Sequence, residues 1–173
     1  MKNSKMTILG CIGIFLIAAL VLLPATQVKA ETMKWVFTSQ VTKLEYIPFP
    51  DVKGHVLGVL QRRGVAIFEN EVARFELLLR FDSIKKQGTW EGYSQTTFKD
   101  GSTFTLKFQG ATTFADGKKL IKGKGKYIKG TGRFEGIKGE YSFTGREITP
   151  YTKDKTKGDN WAEATGTYTL PKK

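Results

Sequence analysis

Apolar side chains recur at every second residue through most of this chain, and that period leaves few folds open. Ala73, Phe75, Leu77, Leu79 and Phe81 fall on one side of an extended segment, with Arg74, Glu76, Arg80 and Asp82 on the other and only Leu78 out of step. Phe104, Leu106 and Phe108 alternate with Thr103, Thr105, Lys107 and Gln109. Ile137, Gly139, Tyr141, Phe143 and Gly145 alternate in the same way with Lys138, Glu140, Ser142, Thr144 and Arg146. Successive side chains of a strand point to opposite faces, so these segments read as strands buried on one side. No helical period is sustained; one short helical turn fits near residues 154–158.

Turn signals punctuate the strands. Asp100-Gly101 and Asp116-Gly117 lie between alternating segments and read as hairpins. Gln87-Gly88, Lys129-Gly130 and Lys157-Gly158-Asp159-Asn160 supply further breaks. The segments give about eight strands: 33–45, 55–61, 64–69, 72–84, 88–98, 102–114, 120–128 together with 136–147, and 160–170. Whether 54–70 is one bent strand or two stays open at this point. Many short antiparallel strands make a sandwich or a closed barrel. Glycines inside strand patterns (Gly92, Gly110, Gly123, Gly125, Gly166) favour the bends and close approaches of a small barrel.

The first thirty residues stand apart from that globule. Lys2 and Lys5 precede an uncharged run from Met6 to Leu23; Pro24 breaks it, and Val28-Lys29-Ala30 has the small residues read by a signal peptidase. This is the order of a secretory signal, with cleavage expected after Ala30 and residues 31–173 as one exported domain, secreted or periplasmic. A retained N-terminal membrane anchor is the alternative, because the apolar run is long for a signal. Cys11 lies near the start of that run, where a small hydrophobe fits better than a lipidated residue. Cleavage leaves 25 basic residues (28 less Lys2, Lys5 and Lys29) against 16 acidic ones, no cysteine, and His55 as the single histidine. Disulfide scaffolds and zinc sites built from several Cys or His are excluded. No metal or cofactor is expected. A chain of this length buries enough surface to stand on its core alone.

The stretch Gly130-Thr131-Gly132-Arg133-Phe134-Glu135-Gly136-Ile137-Lys138-Gly139-Glu140-Tyr141 resembles the glycine-rich turn of the allene oxide cyclases and plant dirigent proteins. Segments 55–68 and 72–81 are similar to that family's paired early strands, and 161–170 to its closing strand. The resemblance implies an all-β fold, a single antiparallel eight-stranded β-barrel of calycin type with an apolar interior, often assembled as a homotrimer. Independently of it, the glycines permit positive φ or close backbone contact, with Phe134 packed beneath the turn as a plug. A phosphate-cradling loop is excluded, since no strand-to-helix step with Lys-Ser/Thr follows. The cyclase activity does not carry over. The family's first strand holds a carboxylate and an amide two residues apart, and the matching positions here are Thr38 and Gln40. The carboxylate that would stabilise developing charge is missing.

The candidate site is therefore the barrel interior. Large residues (Trp35, Phe75, Phe104, Tyr141) alternate with small ones (Gly92, Ser94, Gly123, Gly125, Gly166), and small residues at one level are expected to leave a void bordered by Trp90. Arg62 and Arg63 are adjacent and point to opposite sides of a strand, so one of them could enter the barrel, where a buried guanidinium needs an acid or a ligand carboxylate; two arginines at an exposed bend is the plainer reading. The expected ligand-binding set is Arg62, Arg63, Phe75, Trp90, Phe104 and Tyr141. His55 at a strand start reads as a surface residue before a general base. Charge pairs such as Arg74 with Glu76 are ordinary cross-strand partners. Lys118, Lys119, Lys122, Lys124 and Lys126 form a basic stripe that either contacts anionic surface polymers or is a solvated face discouraging strand addition. Nucleic acid is not an expected partner. Two functions remain: an exported barrel binding a small apolar or amphipathic molecule, and a cofactor-independent isomerase or cyclase acting on a lipid-like substrate.

Overall fold

The computed structural model describes residues 29–115, 118–149 and 158–172. The expected signal or anchor at 1–28, the Asp116-Gly117 turn and most of the helical turn near 154–158 lie outside them. Eight strands follow in chain order: β1 (Glu31–Pro48), β2 (His55–Phe68), β3 (Val72–Ile84), β4 (Gln87–Thr97), β5 (Thr103–Ala115), β6 (Lys118–Thr131), β7 (Lys138–Glu147) and β8 (Asn160–Thr169). Each pairs with its sequence neighbours, and β8 returns to β1, closing an antiparallel barrel. Among the described residues there is one 3₁₀ turn, Gly132–Phe134, and no helix long and apolar enough to cross a membrane.

The strand number agrees with expectation, but its parts do not. Residues 55–68 form one continuous strand, while 118–131 and 138–147 are two. Gly64 does not break β2; it lets β1 pass close by, since a Cβ there would lie 2.7 Å from the Ser39 Cα. The break expected at Lys129-Gly130 comes later, where Gly132 and Gly136 take φ of +61° and +75° and carry the chain around Phe134. The β3–β4 turn is likewise not Gln87-Gly88. Ile84 pairs with Gln87, and Lys85 and Lys86 make a two-residue turn at φ of 50° and 71°. The right-handed strand twist demands positive φ in that turn, whatever residues occupy it.

The two ends of the barrel differ. At one end, Phe134 packs 4.9 Å from Phe98 and 5.3 Å from Phe104, and Phe68 lies 5.1 Å from Phe98. These rings with buried Ile137 form the plug expected beneath the glycine turn. Arg133 covers it from outside, stacking over Phe98 and Phe134 and pairing with Glu71 and Asp100. The opposite end, where the β1–β2 and β3–β4 connections lie, is left open by the described residues.

Candidate functional site

From the open end a cavity of about 720 Å³ runs into the barrel, within the range of small-molecule sites. Its walls are mostly apolar: Phe37, Phe75, Leu79, Leu106, Phe108 and Phe143 among them. Phe75, Trp90 and Tyr141 of the expected set line it. Phe104 does not. Its side chain is wholly buried in the plug, facing Phe98, Phe134 and Tyr127, because β5 carries it toward the sealed end.

The void does not lie over the glycines, as residue size alone suggests. A Cβ on Gly123 would sit 2.6 Å from ring atoms of both Phe143 and Trp90, and one on Gly125 2.6 Å from Tyr141. Gly166 is covered by Tyr127 and Tyr141. Rings from neighbouring strands occupy the space these three glycines vacate and the Leu78–Leu79 strand passes close over Gly92, whereas Ser94 of the expected small set does line the cavity with Trp90. The cavity opens toward the mouth, where the strands have run past the ring layer.

Arg62 and Arg63 part as adjacent strand residues must. Arg63 is on the outer face, its side chain 63% exposed and 2.8 Å from Glu76. It cannot reach the interior. Arg62 is 3% exposed and reaches across the inside of β1. Its Nε donates to Ser39 Oγ at 3.0 Å, and its Nη2 donates to the Ser39 carbonyl at 2.8 Å and to the Gly158 carbonyl. The guanidinium is thus held in one orientation on the cavity wall. Beside it, Asn160 lines the cavity with its Oδ1 buried and accepting no hydrogen bond. Nothing in the sequence marked Asn160, since its role comes from opening β8 opposite Ser39.

Other polar groups are already engaged. Trp90 Nε1 donates to Thr112 Oγ1 at 3.1 Å. Burial pushes the Tyr141 phenol well above its ordinary range, only partly offset by its hydrogen bond with Ser94, so it stays neutral. Lys119 lies 3.5 Å from Glu147 on the wall near the mouth. Lys119 therefore leaves the basic stripe, whereas Lys122, Lys124 and Lys126 project from the outer face of β6 as expected. Thr38 and Gln40 alternate with inward Phe37 and Ser39 and sit on the outer side of β1. His55 is at the rim, its Nδ1 2.6 Å from Asp51 and its Nε2 2.9 Å from Asp82. The hydrogen bond with Asp51, then that with Asp82, raises its pKa above the usual value against the effect of desolvation.

No protein-family profile matches the chain, and no curated protein does. Among solved structures, a pterocarpan synthase dirigent protein aligns with 84% of this chain and 94% of its own, at 15% identity and a TM-score of 0.46. A conserved protein of unknown function from Rhodopseudomonas palustris aligns with 80% and 98%, at 7% identity and a TM-score of 0.53. The second likeness, at 7% identity, is one of fold alone.

Proposed function

We propose that the protein is an exported barrel that holds one small amphipathic molecule, its apolar body among Phe37, Phe75, Leu79 and Trp90 and its anionic group toward Arg62. The observation that supports this best is the pairing of an apolar cavity open at one end with a buried, oriented guanidinium on its wall. Orientation matters because an aligned guanidinium binds a carboxylate without first losing rotamer freedom. A binding role is preferred to catalysis because Thr38 and Gln40 face outward and His55 is held between two carboxylates at the rim.

The test isolates Trp90 fluorescence by changing Trp35 and Trp161 to Phe and titrates long-chain acids, hydroxy acids, phenolic acids and the matching alcohols. Acids should shift the emission at lower concentration than the alcohols. Losing a charge-assisted hydrogen bond removes about 1.5–3 kcal/mol. Arg62→Gln should therefore weaken acid binding about tenfold or more while leaving the alcohols unchanged, and Arg62→Lys should recover part of the loss. Equal binding of acids and alcohols, or no response to any of them, would refute the proposal.

A further inference from the structure

The barrel's two ends are chemically unlike. Connections at the sealed end, residues 69–71, 99–102 and 132–136, present charged and polar side chains, with exposed Ile67, Val72 and Ile128 on the strands beside them rather than at a projecting tip. Around the mouth, exposed apolar side chains lie on the described connections or on the strand ends beside them. Ile47 near the end of β1 is 75% exposed, and Phe49 and Val52 follow on the β1–β2 connection; Ile84 ends β3, Ile148 follows β7, and Phe114 near the end of β5 is exposed where it lines the cavity mouth. Isolated exposed hydrophobes are ordinary, but a ring of them around one opening marks a contact surface.

Among the described residues the charge around this ring leans positive. Lys53, Lys85, Lys86 and Lys118 are exposed at the mouth. Among the described acids there, Glu147 is cancelled by Lys119, Asp51 and Asp82 share His55, and Asp159 accepts from the Thr149 hydroxyl at 2.6 Å, so four exposed lysines stand against three carboxylates, two of which share one imidazole. The β1–β2 tip is also braced. Phe49 N–H donates to the His55 carbonyl at 3.0 Å, Lys85 N–H to the Gly54 carbonyl at 3.0 Å, and the Phe49 ring stands edge-on to His55 at 5.3 Å. A tip fixed in place keeps its apolar side chains pointed outward rather than folding them over the opening.

We infer that the open end of the barrel docks on an anionic lipid bilayer, with Ile47, Phe49 and Val52 entering the interface and the surrounding lysines meeting the headgroups. Apolar side chains flanked by lysines are what an interfacial anchor requires, the apolar part supplying depth and the cations selecting negatively charged lipid. The mouth of the cavity then faces the membrane, so an amphipathic molecule passes between bilayer and barrel without crossing water. That last consequence rests on the ligand-binding proposal; the docking does not.

Cosedimentation with phosphatidylcholine vesicles, with and without phosphatidylglycerol, tests it on the intact protein. Binding should require phosphatidylglycerol. The double variant Ile47→Asp with Phe49→Asp should lose about a hundredfold in affinity, since each side chain withdrawn from an apolar phase is worth about a factor of ten. Val72→Asp, an equally exposed position toward the sealed end, should change nothing. Each variant is titrated in parallel with the Trp90 ligands, so a tip variant that keeps ligand binding but loses vesicles is folded and supports docking whatever becomes of the cavity proposal. In an otherwise unaltered fold, Phe49→Trp should be quenched by brominated lipid. No binding to anionic vesicles overturns the inference. So does absence of quenching, or a loss caused instead by Lys122→Gln, Lys124→Gln and Lys126→Gln together, which would assign the contact to the outer face of β6.

Discussion

Gly123 offers the sharpest test of how the barrel is filled. Its inward face is covered by Trp90 and Phe143, which stack at 5.7 Å between centroids. A methyl group there would lie 2.6 Å from Trp90 Cη2, 2.6 Å from Phe143 Cζ and 2.7 Å from Phe143 Cε1, well inside the van der Waals distance. Both rings would have to move by most of an ångström, and Trp90 is tied to Thr112. Overpacking of this kind costs about 1–3 kcal/mol. For a domain of this size each kcal/mol lowers Tm by roughly 3–5 °C, so Gly123→Ala should melt about 3–15 °C lower in a thermal scan. Trp90 has the cavity to move into, and its emission should shift in the variant. Trimming the opposing ring with Phe143→Leu should relieve part of the clash, making the double variant less damaged than the two single losses added together. An unchanged Tm for Gly123→Ala would refute the reasoning, because it would mean open space above the glycine.

The β3–β4 turn holds two lysines at positive φ, which asparagine and glycine tolerate better. Lys85→Asn with Lys86→Gly should stabilise the fold by about 1 kcal/mol in urea unfolding. His55 has its pKa raised by hydrogen bonds with Asp51 and Asp82, so its contribution is complete below the unfolded value near 6.5 and is lost as pH rises through the higher folded one. Tm should fall over that interval, and His55→Gln should remove this step; the depressed Asp51 carboxyl acts only in acid, below the usual carboxylate range.

Period-two alternation carried the strands and the face of most residues, which is why Phe75, Tyr141 and the Lys122–Lys124–Lys126 row fell where expected. It also contained the answer for the arginine pair, since Leu60, Arg62, Gly64 and Ala66 share one parity and Leu60 and Ala66 are plainly core. Boundaries were harder. Gly64 and Gly132 are the same residue type, yet one admits a neighbouring strand and the other turns the chain, and only the partner strand distinguishes them. Depth along the barrel axis was not legible at all. Phe104 and Phe108 share a strand and a face, but one is in the plug and the other on the cavity wall, because that depends on stagger between eight strands. The same stagger hid the match of Gly123, Gly125 and Gly166 with rings and left Asn160 unremarked.

The central claim, an apolar cavity reached from one end, is tested most directly by titrating an anionic naphthalene dye whose emission rises in apolar surroundings. Two proteins are compared, the native one and Leu79→Trp, in which a larger side chain fills the wall between Phe75 and Phe81. Saturable binding of one dye per protein, displaced by a long-chain acid and abolished by Leu79→Trp with the fold intact, is the predicted result. Dye binding that is unsaturable or indifferent to Leu79→Trp would contradict the account and leave the outer surface as the place where this protein acts.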